Sequence, residues 1–500
     1  GVNAGNSIAS GGNYNVVLGD EAGTALTTGD NNVAIGFEAL KTEDANGDNV
    51  AVGYQSLKTL NAGADAFNTA VGYLSGTSVT TGLYNTLIGA QTGDALTDAD
   101  FNVVVGRNAL TSDTLGSKST AIGYGTLETQ NFTTATDSFN TAVGFEAGLA
   151  VTTGTNNTFV GALAGDALTT GESNVAVGKG AFTAATINNR CTAVGVNALQ
   201  NMNNGSSATL DNTAVGANAG GSGAMTGNQN TLVGMAAGLT ITSASQNTIV
   251  GVEAGDALTT GGANTAVGYE SLSSEQAGTK NTALGYQALK TLSGAGANAD
   301  NVAVGNQAGT AMTTGVANTL VGSLSGDALT DADHNTAIGV NALTNDTLGS
   351  KSVAVGSLAL AAQNFTTATD SFNTAVGSQA GQSITTGIQN TLIGSECGDA
   401  LTDADYNVAL GRNTLSTDTL GSKTTAIGFQ ALANQNFTTA TDSNNVAVGY
   451  NAGVSVTTGT ENTLIGAEAG EALTTGEKNT YVGYGAGHAD DLGSRNVGVG

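Results

Sequence analysis

Along this chain one five-residue figure keeps returning: a polar residue, three apolar or β-branched residues, then glycine. Asn32-Val33-Ala34-Ile35-Gly36 is one copy, and residues 140–144, 247–251 and 496–500 are others; there are 28 in all. Of the 27 intervals between closing glycines, 20 are 17 residues long and the rest are 18 to 21. Residues are sometimes added and never removed. A fixed period of this length marks a repeat architecture built by stacking one supersecondary unit.

Positions are counted from the closing glycine, taken as 0. Position −1 is Val, Ile or Leu in every copy, position −3 is Thr or Val, and position −2 is mostly Ala, with Leu87, Phe159, Ile249 and Tyr481 as larger variants. This reads as a short strand covered on both faces. One face must line the inside of a coil. The other is assigned to position −2, which then needs a partner surface, because so long an apolar row is not left to water.

Position −4 is Asn in 24 copies; Ser119, Cys191, Ser352 and Thr424 are the exceptions. Stacked coils would place these amides in a hydrogen-bonded ladder. The glycine is explained by a positive φ or a close approach at a bend. Position +3 is always small, as at Ala22, Ser56, Thr92 and Cys397. Position +4 alternates in pairs: Gly23, then Leu40 and Leu57, then Gly76 and Gly93, then Leu110 and Leu127. The result is a four-coil superperiod of 72 residues, as from Gly144 to Gly216. Glycine-type coils continue as Leu26-Thr27-Thr28-Gly29 or 168–171, read as a second short strand and a turn. A helix is excluded, since the recurrent glycines leave no uninterrupted window and each costs about 1 kcal/mol.

The expected fold is therefore all-β: a repetitive parallel β-solenoid (β-roll) of about 28 coils with a 17-residue unit and two short strands per coil. With about 4.8 Å per coil it would form a rod of roughly 130 Å. Residues 1–500 read as one continuous solenoid region. Residue 1 is Gly, and residues 1–5 resemble the second half of a unit, so an excerpt of a longer fibrous protein is expected.

Composition narrows the function. Thirteen Lys and Arg stand against 40 Asp and Glu, a net charge of −27. With no basic patch, nucleic acid and anionic membranes are poor partners. No run approaches the roughly 20 apolar residues of a membrane span. Cys191 and Cys397 form no disulfide framework and read as small substitutes.

The repeated motif, with 49–53, 264–268 and 335–339 as good examples, resembles the head repeats of trimeric autotransporter adhesins and of related phage and bacterial surface fibres. The resemblance covers essentially the whole chain, although the 17-residue coil is longer and there are no coiled-coil heptads or membrane-anchor strands. It implies a left-handed parallel β-roll, three chains about one axis, a location outside the cell or on a virion, and a role in adhesion or display. The expected function is a structural fibre or stalk segment presenting an adhesive surface, with a phage receptor-binding fibre and a polysaccharide-binding solenoid as alternatives. Expected partners are two further copies of the chain, and a surface glycan or host receptor.

No catalytic residue, cofactor or metal site is expected. The carboxylate pairs Asp98/Asp100, Asp331/Asp333 and Asp403/Asp405 read as turn residues rather than cation ligands, for want of a calcium-loop pattern. They belong to blocks repeated at offsets of 233 and 72 residues, which duplication alone explains. Position +1 is aromatic in 10 of 27 copies, including Phe37, Tyr54, Tyr73, Tyr124, Phe145, Tyr269 and Tyr286; such rows shield a coil edge or stack on sugars. His334 and His488 lie far from any Cys or Glu cluster. Thr-Thr rows such as Thr27–Thr28 are too interrupted for an ice-binding array.

Overall fold

The computed structural model describes residues 1–203, 205, 209–294 and 298–500. It is an all-β parallel solenoid of about 28 turns, with no helix among the described residues. The chain divides into two compact units, Gly1–Asn247 and Thr248–Gly500.

In each unit the three residues before every repeat glycine form a strand that pairs in parallel with its counterpart one coil on. Val33–Ile35 lies on Val50–Val52 in the first unit, and Thr336–Ile338 on Val353–Val355 in the second. Register follows the repeat glycine rather than the length of the coil. The 21-residue coil ending at Gly144 pairs Thr120 with Thr141, position for position as the 17-residue coils do.

Among the described residues the expected second strand is absent from ordinary coils, and two-residue strands appear only where the longer blocks recur: Gly116–Ser117 with Thr136–Asp137, Gly349–Ser350 with Thr369–Asp370, and Gly421–Ser422 with Thr441–Asp442. Positions +2 and +4 repeatedly adopt positive φ, as at Glu38 (52°) and Leu40 (48°), so the segment just after the repeat glycine is a run of turns rather than a strand. Coil-to-coil bonds persist without it: Thr97 N–H donates to Thr114 O at 2.9 Å.

The repeat glycines have φ between +129° and +148° from Gly19 to Gly483. A Cβ on Gly36 would lie 2.2 Å from the carbonyl oxygen of Gly53. Both the bend and the stacking distance exclude a side chain, so the expectation of positive φ with close approach holds.

The strand is oriented the other way round from the reading that gave position −2 to a partner. Ala34, Leu87, Phe159, Leu320 and Leu464 at −2 are wholly buried inside their own coils. It is positions −3 and −1 that face outward, with Ile88 39% and Leu284 43% exposed. Strand alternation demands two faces, and the inward −2 residue is large only where +4 is glycine, being Ala, once Val, where a +4 leucine or phenylalanine fills the interior.

Candidate surface sites

The Asn ladder is interior and its amides are almost all used, Asn281 Nδ2 being an exception. Asn68 Oδ1 accepts the Asn85 N–H at 2.9 Å, while Asn68 Nδ2 donates to Gly82 O at 2.7 Å. The same pair of bonds recurs at Asn157, towards Asn174 N and Gly171 O, and at Asn318, towards Asn335 N and Ala332 O. Each of these three amides satisfies backbone groups of two coils.

Three of the four exceptions to Asn share one environment, which the sequence reading missed. Asp113 is completely buried; its Oδ1 accepts the Gly116 and Phe132 N–H groups at 3.1 and 3.0 Å, and its Oδ2 accepts from Gln130 Nε2 at 2.6 Å. Gln130 also donates to Ser119 Oγ and accepts from Asn140 Nδ2. Ser119, an exception, bonds Ser138 Oγ at 2.6 Å. The network recurs as Asp346–Gln363–Ser352–Ser371 and as Asp418–Gln435–Thr424–Ser443. The signal was in the sequence: Ser119, Ser352 and Thr424 are each followed 11 residues later by Gln, and Cys191 is not.

The carboxylate pairs do not converge. Asp98 Oδ1 accepts from Thr81 Oγ1 at 2.6 Å and Asp100 Oδ1 from the Leu83 N–H at 2.7 Å. Asp331 and Asp333 take Thr314 and Val316, and Asp403 and Asp405 take Thr386 and Ile388, in the same way. Each pair ties its turn to the preceding coil, and among the described residues no group of three His, Cys, Asp or Glu comes together. His334 and His488 are exposed.

Both thiols are buried and are pushed up to about 12 by that burial, which leaves them unreactive. Cys397 Sγ donates to Ala409 O where Ser56 and Ser325 donate to Ala70 and Ala337 O. It is a serine analogue, as its slot suggested. Of the Thr-Thr rows, Thr169 Oγ1 donates to Thr186 O at 2.8 Å, whereas Thr28 and Thr170 are exposed.

The surface features that stand out are aromatic. Phe37, Tyr54 and Tyr73 at position +1 stack in sequence, with ring centroids 5.3 and 5.2 Å apart. A second ladder, unforeseen in the sequence, runs at position −5: Phe67, Tyr84 and Phe101, at 5.5 and 4.9 Å. Position −5 has positive φ throughout, 59° at Tyr84, and this left-handed turn sets the side chain outward in a row. Elsewhere among the described residues stacking is confined to pairs: Tyr124–Phe145, Tyr269–Tyr286 and Phe429–Tyr450. Offset stacking at these distances is worth roughly 0.5–1.5 kcal/mol per pair. Lys118 lies over the Phe139 ring at 5.2 Å and pairs with Asp137; Lys351, Phe372 and Asp370 repeat the arrangement.

No cavity is found among the described residues, and none of their helices is long and apolar enough to cross a membrane. No protein-family model matches the chain, and no curated protein matches it.

Proposed function

We propose that the chain is a structural segment of an extracellular fibre, exposed on a cell or virion surface, which extends and presents an adhesive face. The observation that carries this reading is the coil itself. Its polar and apolar interior is spent on holding one coil to the next, while the outward rows at −3 and −1 stay β-branched or aliphatic and those at −5 and +1 vary freely in polarity and charge. Such a scaffold lengthens by about 4.8 Å for each coil added and offers the same face again each time.

We further propose that copies of the chain associate, three about a common axis, through the −1 row. An uninterrupted row of Val, Ile and Leu is a large apolar surface for a chain that is otherwise acidic and polar. It is most open to another copy where the neighbouring +1 residues are small, as at Ser323, Ser357, Ser378 and Ser395. Light scattering on the full chain tests this. A mass near three times 48.8 kDa that falls to one copy on Val355→Lys with Val376→Lys is expected; a stable 48.8 kDa species for the unaltered chain overturns self-association.

A further inference from the structure

We infer that the two three-ring ladders of the first unit form a binding surface for a neutral, linear polysaccharide laid along the coil stack. The ladders flank the strands one on each side and overlap on a single coil, which carries both Phe67 and Tyr73. The +1 ladder borders the outward positions Val33, Ile35, Val50 and Val52, the −5 ladder borders Thr86, Ile88, Val103 and Val105, and Thr69 and Val71 on the shared coil have rings on both sides, so a polymer passes from one ladder to the other across the strand face. The floor is uncharged and β-branched, with threonine hydroxyls at intervals. The borders are half-exposed rings, Tyr73 at 53% and Tyr84 at 46%.

This combination selects its occupant. Aromatic borders offer an apolar body with a polar tip at each tyrosine, which suits a molecule with C–H faces and hydroxyl edges. With no enclosing cavity, a small ligand would bury too little surface, whereas a polymer gains a contact at every coil. The coil spacing of about 4.8 Å is close to the advance per residue of an extended pyranose chain. The net charge of −27 repels polyanions, so the chain is a neutral one. The raised borders also hold off the flat sheet of a second copy, in contrast to the serine-bordered stretch. The inference gives the proposed adhesive face a ligand class and a place, but it stands or falls independently of self-association.

The test is affinity electrophoresis of the full chain through gels containing hydroxyethylcellulose, galactomannan or alginate, with calorimetric titration of the retarding polymer. Retardation by a neutral polymer and not by alginate is expected. Tyr54→Ala with Tyr84→Asn, the latter because Asn tolerates positive φ, should weaken binding by about tenfold or more. Tyr484→Ala, at an exposed tyrosine outside the stacked ladders, should leave it unchanged. Retardation by neither neutral polymer, stronger retardation by alginate, or equal retardation of the double variant overturns the inference. So does a fall in solution mass caused by the double variant, which would show that another copy covers the rings. Tyr54→Phe, which keeps the ring, should retain binding and guards against loss through misfolding.

Discussion

Glycine and leucine share position +4 because the interior has one volume to fill and two ways of filling it. Phe159 shows the glycine solution. A Cβ on Gly148 would lie 2.8 Å from its ring and one on Gly165 only 2.4 Å from it. The ring of one coil occupies the space two glycines leave open, much as Leu87 does between Gly76 and Gly93. In leucine-type coils the same space is taken by the +4 side chain itself, and −2 shrinks to Ala, as at Ala121 with Leu127. Gly165→Ala should therefore destabilise the chain by about 1–3 kcal/mol through overpacking. A further cost comes from its φ of +60°. Urea unfolding measures it, and combination with Phe159→Leu should recover part of the loss, a coupling that residues out of contact would not show. The reading of −2 as an outer face failed here: alternation is visible in a sequence, but which face is inside depended on a leucine six residues away along the chain and across the coil.

A coil is held less by its three-residue strand than by the polar groups lining its corners. Nearly every Asn of the ladder bonds the backbone of its own corner and the next. The ladder, the bend at glycine and the parallel pairing were legible in the sequence, because each follows from one residue type at a fixed interval. The −5 aromatic row was not, because it arises from left-handed backbone at Tyr84 and Phe101, residues that give no local sign of it. The buried Asp113–Gln130 corner lies between these cases: its residues recur in the sequence at 346 and 363 and at 418 and 435, but their burial requires the coil to close around them. Gln130→Leu would leave Asp113 Oδ2 and Asn140 Nδ2 each short of a partner inside the fold. A loss of roughly 1–3 kcal/mol is expected, with faster hydrogen exchange at the Gly116 and Phe132 amides. Gln363→Leu, in the sister block, should cost the same.

At the scale of the whole molecule, acidity and burial combine to give an unusual pH response. Burial raises the carboxyl groups of Asp94, Asp166, Asp256 and Asp399 above their ordinary values, and that of Glu43 likewise. A raised acid binds its proton more tightly folded than unfolded, so its ionisation penalises the fold at neutral pH and the penalty is relieved as pH falls. Neutralising part of the −27 charge acts in the same direction. Glu38 opposes them: hydrogen bonds from Lys41 and Lys58 hold it near about 2, so its contribution is lost only as pH falls from its unfolded value towards that one. The melting temperature should therefore rise as pH falls from neutral towards the ordinary carboxyl values of about 4 and fall only in stronger acid. A steady decline across the same interval, followed by circular dichroism, would contradict the burial of these acids.

The indifference of strand register to coil length has a genetic consequence. A coil of 17 residues and one of 21 present the same three-residue edge to their neighbours, so repeat glycines in the same phase of the four-coil superperiod are interchangeable joining points. Unequal recombination between the blocks near Asp331 and Asp403, 72 residues apart, would delete or duplicate four whole coils and leave a seam the fold cannot distinguish from any other. Alleles of this gene should differ in length by whole numbers of coils far more readily than a domain with a single closed core allows.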